Sequence, residues 1–112
     1  MNSMDEMVII SVDGHAVEPP EAFVRHYPEG KKDRAPRIVE EDGKDIWLWN
    51  GKRYPTIGLN AVVGRPRSEY GMEPSQFSQL REGTYDPKAR VDDMNANGVL
   101  ASLNFPTMPS FA

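Results

Sequence analysis

The stretch Val8–Pro20 constrains the fold more than any other part of the chain. Val8-Ile9-Ile10-Ser11-Val12 is largely apolar and β-branched, Asp13-Gly14-His15 stops it, and Glu18-Pro19-Pro20 follows. A strand without polar alternation is what a parallel sheet covered on both faces requires. Its tip delivers a carboxylate and an imidazole two residues apart. With the pleat continued through Gly14, Asp13 and His15 face the same side. A hard oxygen beside a neutral imidazole nitrogen makes a half-site for a divalent metal. The same spacing also suits a polar turn at a strand end, with Asp13 capping local amides and His15 packing on a neighbouring helix.

The rest of the pattern gives this strand a context. Met7–Val12 is the first strand. Pro19 and Pro20 sit at the start of a short helix over residues 21–27, with Phe23 and Tyr27 one turn apart. Pro28 and Gly30 end it, and residues 28–36 form a charged loop. Residues 37–54 read as a small antiparallel meander whose turns are Asp42-Gly43 and Asn50-Gly51. Residues 55–85 are rich in Gly, Pro, Ser and Gln and read as a long loop, so residues 37–85 together form a hairpin-and-loop insertion. Asp86-Pro87 starts a helix that runs to about Asn97, with Gly98 at its C-cap. Val99–Phe105 is a second buried strand, stopped by Pro106.

Strand, helix, insertion, helix and strand define an α/β chain with a parallel crossover. Two such strands do not close a sheet. The sequence runs on from Thr107 to Ala112 with apolar residues and no terminal element. The expectation is one domain over residues 1–112 that forms only the first part of a larger fold, folding poorly and inactive alone.

Composition narrows the partners. In 112 residues, 17 acidic against 13 basic side chains leave a net charge of −4. That balance argues against nucleic acid and anionic membranes as partners. Lys31-Lys32-Asp33-Arg34 is too short a cluster to change this and reads as a solvated loop. Cysteine is absent, which removes disulfides and Cys-based zinc sites and fits a reducing, cytoplasmic location. Met1–Glu6 carries acidic residues and no basic segment, unlike a secretory signal. No apolar run approaches the roughly 20 residues of a membrane helix.

The segment Ser11-Val12-Asp13-Gly14-His15-Ala16-Val17-Glu18-Pro19-Pro20 resembles the amidohydrolase superfamily. Within it, the chain resembles the amidohydrolase-related group of aminocarboxymuconate-semialdehyde decarboxylase-like enzymes. Tyr85-Asp86-Pro87-Lys88-Ala89-Arg90-Val91-Asp92-Asp93-Met94-Asn95-Ala96-Asn97-Gly98-Val99 is similar to that group's first long helix entering its second strand. Gly58-Leu59-Asn60-Ala61 and Glu69-Tyr70-Gly71-Met72 are similar to the insertion of one bacterial branch.

The resemblance implies a (β/α)8 TIM-type barrel. Such barrels take roughly 250 residues, so this chain would hold its first two strands and leave the barrel incomplete. It also implies a first-strand His-x-His motif that binds a divalent metal. His15 matches the second position, and Asp13 stands where the first His is expected. Carboxylate oxygen also ligates such metals, so Asp13 and His15 are the candidate ligands, with zinc ahead of manganese. The remaining ligands and the catalytic acid or base would lie beyond Ala112. No catalytic residue is assigned within the chain, and the substrate-binding residues stay unassigned.

Other side chains carry competing readings. Glu18 suits a helix N-terminal acid, and secondarily a partner that orients His15. His26 suits a favourable contact with the end of the first helix. Trp47 and Trp49 share one face of a strand and read as hairpin packing ahead of a substrate stacking platform. A subunit contact is a second reading, so a homo-oligomer stays open. Arg53, Arg65 and Arg67 are surface residues first and carboxylate-binding residues second.

Two functions are therefore carried forward. One is the N-terminal piece of a metal-dependent enzyme acting on a small carboxylic acid, amide or ester. It would hydrolyse a C–N or C–O bond or decarboxylate the acid. The other is a non-catalytic barrel piece that serves as a binding or assembly module through its open sheet edge.

Overall fold

The computed structural model describes residues 7–58, 61–71 and 73–108. Two strands pair in parallel, β1 (Ile9–Ala16) and β5 (Val99–Pro106). Between them in sequence lies a separate antiparallel sheet of β2 (Arg37–Glu41), β3 (Lys44–Trp49) and β4 (Lys52–Tyr54), in that order. The helices are α1 (Ala22–His26) and α2 (Pro87–Ala96). This is a mixed α/β chain with two small sheets, and no barrel closes among the described residues. No described helix is long and apolar enough to cross a membrane.

Local chemistry accounts for most element boundaries. The Asp86 side chain accepts the Ala89 N–H at 2.9 Å, with Pro87 in the first turn of α2. Gly98, at φ 68°, supplies the left-handed residue after the helix. Both meander turns place two successive residues at positive φ: Asp42 and Gly43 at 51° and 73°, Asn50 and Gly51 at 50° and 73°. That is the type I′ pattern, whose twist matches the strands it joins.

Three expectations change. β1 does not stop before Asp13 but runs on through His15 to Ala16, because β5 offers partners that far: His15 faces Phe105 and Ala16 faces Pro106. The segment after Pro28 is not an irregular loop. Its polar residues wind into a 3-10 helix, Glu29–Arg34, closed by the Ala35 N–H on Lys32 O. The strands expected to be buried are exposed, with Ile10 at 57%, Leu100 at 70% and Leu103 at 60%. A two-stranded sheet has no flanking strands to cover it among the described residues.

The core lies elsewhere. Val17, Trp47, Ile57, Leu80 and Met108 are buried together, with Phe23, Ile38 and Tyr54 packed against them. Phe23 meets Trp47 edge-on at 5.4 Å between ring centroids. The long loop is stitched onto the meander by backbone groups. Asp45 Oδ2 accepts the Phe77 N–H at 2.8 Å, Ser75 O accepts the Asp45 N–H at 2.7 Å, and Gln76 Nε2 donates to Gly43 O at 2.7 Å. Three 3-10 turns, Arg67–Glu69, Phe77–Gln79 and Glu82–Thr84, are its regular structure. Leu59, Asn60 and Met72 of the two similar segments lie outside the described residues, as do Met1–Glu6 and residues 109–112.

Candidate metal centre

Asp13 and His15 flank Gly14 near the end of β1. The Asp13 Oδ1 and His15 Nε2 atoms are 3.9 Å apart, so the two side chains share one side of the strand. Both are open to solvent, the Asp13 side chain 87% and that of His15 59% exposed. The His15 ring rests against Phe105 across the parallel pair, with centroids 5.9 Å apart and planes tilted by 41°. That contact covers one side of an imidazole that is otherwise largely exposed.

The donor set bears on what the pair can hold. Two neighbouring donors about 2.1 Å from a tetrahedral ion stand about 3.4 Å apart. The observed 3.9 Å is wider than that, and a modest rotation of either exposed side chain would close it; carboxylate plus imidazole suits zinc or manganese. The pair fits as two donors of a larger set. Among the described residues no group of three or more His, Cys, Asp or Glu side chains gathers around one point.

Beside His15 opens a cleft of about 460 Å³. Val17, Ala61, Val62 and Val63 give it apolar walls, and Arg90 and Thr107 supply polar groups. That mixture is the usual lining of a small-molecule site.

The other candidates settle into structural roles. Glu18 neither caps α1 nor reaches His15. Its two carboxylate oxygens accept the N–H groups of Thr107 at 2.9 Å and Met108 at 3.0 Å, and Thr107 Oγ1 donates to Ala16 O at 2.9 Å. The two chain segments leaving β1 and β5 are thereby tied together. Trp47 is buried in the core and Trp49 packs against it, which is hairpin packing. Arg53 Nε lies 3.0 Å from both Glu41 oxygens, and Arg65 pairs with Glu69 at 2.9 Å. Arg67 is exposed, and His26 stands in the last turn of α1. Arg90, Ser102 and Asn104, none of them a candidate from the sequence, join behind Gly14. The visible signal is Ser102 and Asn104, two polar side chains two residues apart in a strand of otherwise apolar residues.

One ion pair predicts a pH response. Arg81 grips Asp93 with both ends of its fork, at 2.9 and 2.7 Å. These hydrogen bonds hold the Asp93 carboxyl below its ordinary value, with partial desolvation opposing them. A depressed carboxylate contributes in full above its unfolded pKa and loses that contribution as pH falls through the folded one. The melting temperatures of wild type and Asp93→Asn should therefore differ at neutral pH. They should converge only as pH falls through the depressed Asp93 pKa, below the ordinary carboxylate range. A constant offset down to strongly acidic pH would refute the assignment.

A solved structure shares this backbone: the crystal structure of an amidohydrolase from Mycobacterium avium subsp. paratuberculosis K-10, superposing with a TM-score of 0.61. The fold matches part of that structure's fold. The match covers 93% of this chain and 31% of the amidohydrolase, at 16% sequence identity. Similarity at that level speaks for the fold alone. No protein-family profile matches the sequence, and no curated protein matches it.

Proposed function

We propose that this chain is the opening section of a (β/α)8 amidohydrolase-type enzyme in which Asp13 and His15 hold a divalent metal, zinc ahead of manganese. The observation that carries this reading is the pair itself. Two donor atoms 3.9 Å apart stand towards the C-terminal end of the first of two parallel strands. That end of a barrel strand is where active sites of this architecture are built. The amidohydrolase likeness of the backbone and the uncovered apolar faces of β1 and β5 support the same reading.

A bound metal would supply Lewis-acid chemistry, activating a water or polarising a carbonyl or carboxylate. The chain's own residues divide the remaining work. Asp13 and His15 hold the ion, and Phe105 steadies the imidazole. Val17, Ala61 and Val62 seat the apolar body of a substrate and keep water from it. The substrate class is a small carboxylic acid, amide or ester. The reaction is hydrolysis of a C–N or C–O bond, or loss of carbon dioxide as in the decarboxylase-like group. The protein works in the cytoplasm without nucleic acid or membrane, as a monomer or homo-oligomer.

The test is the metal content of the intact protein beside Asp13→Ala and His15→Ala, measured by elemental analysis. The expected result is near-stoichiometric zinc or manganese in wild type and at least a tenfold loss in each variant. A metal-free wild type with unchanged variants would reduce Asp13-Gly14-His15 to a strand-end turn. The assembly-module reading would then stand.

A further inference from the structure

β1 does not keep step with β5. Ser11 pairs with Ser102 and Gly14 with Asn104, so β1 spends one residue more than β5 between the two pairs. A bulge of this kind re-aims the side chains next to it. Here it falls at Val12 and Asp13, within and just before the donor pair.

A polar cluster on one side of the strand holds this register. Asn104 Oδ1 lies so close to Gly14 that any Cβ there would overlap it. The same oxygen accepts Arg90 Nη2 at 2.7 Å and Ser102 Oγ at 2.9 Å. Arg90 Nη1 also donates to Gly83 O at 3.3 Å, which ties the guanidinium to the loop before α2. Arg90 Nε is buried without an acceptor, so the side chain has given up solvation to reach this position. Asp13 and His15, flanking Gly14, project to the other side of the strand.

We propose that Arg90 is a positioning residue for the Asp13–His15 pair, acting through Asn104 and the missing side chain of Gly14. It presses Asn104 into the gap at Gly14 and so fixes the bulge that brings the two donors side by side. The inference rests on the reading of Asp13 and His15 as metal donors for its consequence, but not for its geometry.

The test uses the intact protein with Arg90→Gln, Arg90→Lys, Asn104→Ala and Ser102→Ala. Two quantities are read: cobalt(II) affinity from the visible spectrum, and the nuclear Overhauser contact between the His15 and Phe105 rings in metal-free protein. Arg90→Gln and Asn104→Ala should weaken cobalt about 10- to 100-fold and reduce the ring contact. Arg90→Lys, which retains one donor, should recover part of both. Ser102→Ala removes a single neutral hydrogen bond and should show a smaller loss in the same direction. It keeps the question decidable if Arg90→Gln does not fold. Folded Arg90→Gln and Asn104→Ala proteins with wild-type affinity and an unchanged ring contact would overturn the proposal. Cobalt binding that survives Asp13→Ala and His15→Ala would instead sink the metal reading, and the ring contact would still decide the positioning role.

Discussion

Trp47→Ala should cost about 3–5 kcal/mol, the usual range for emptying a fully buried aromatic site. Trp47 has no solvent exposure and is one of the largest side chains in the core. It pairs with Ile38 on β2 and Tyr54 on β4, and it meets Phe23 of α1 edge-on. Removing it takes away the side chain that both outer strands of the meander and α1 share. Small domains hold about 5–15 kcal/mol in total, so the loss is a large fraction of the whole. Urea denaturation followed through Trp49 fluorescence measures the effect. Trp47→Phe should cost clearly less. It keeps a ring against Phe23 and removes an indole N–H that is buried without an acceptor. An alanine variant with an unchanged denaturation midpoint would show that the core is organised around something else.

Glu18→Ala should be the second large effect. Thr107 and Met108 are each only 2% exposed, and both their N–H groups end on the Glu18 carboxylate. Each buried donor left without a partner costs about 1–3 kcal/mol, so the pair together should cost about 2–6 kcal/mol. Glu18→Gln retains one acceptor oxygen and turns an amide N–H towards the other donor, so it should lose roughly half as much. Thermal unfolding gives the size. Amide hydrogen exchange gives the location, because Thr107 and Met108 should lose protection before the meander does. Uniform protection loss, or none, would mean that the clamp is incidental.

These two residues also show what sequence reasoning reaches. The meander was legible because its turns are local chemistry: Asp42-Gly43 and Asn50-Gly51 specify left-handed pairs that the structure contains. The second helix was legible for the same reason, through Asp86, Pro87 and Gly98. The parallel partnership of the two apolar runs also emerged, since the helix and insertion between them leave few other arrangements.

Glu18 was not legible. Its position before Ala22 suggested a helix acid, and its partners lie at the far end of the chain. The core was misplaced for a related reason. Uninterrupted apolar runs signal burial, but β1 and β5 have no neighbours to bury them here, while Trp47 and Ile57 have many. At the candidate metal centre, sequence spacing gave the residues Asp13 and His15. It did not give the bulge that aligns them, because a pairing offset between distant strands leaves no local signature.

The Glu18 clamp also sets an order of events in making the protein. Met108 lies 90 residues after Glu18, whereas the meander closes through turns of two residues. Hairpins form in about 1–10 μs, but synthesis runs at about 5–20 residues per second. Glu18 therefore leaves the ribosome roughly 5–18 s before the amides it must bind. Throughout that interval Ile9, Ile10 and Val12 have no partner strand. The nascent chain holds a finished meander beside an unsatisfied β1, so co-translational chaperones should bind the β1 segment.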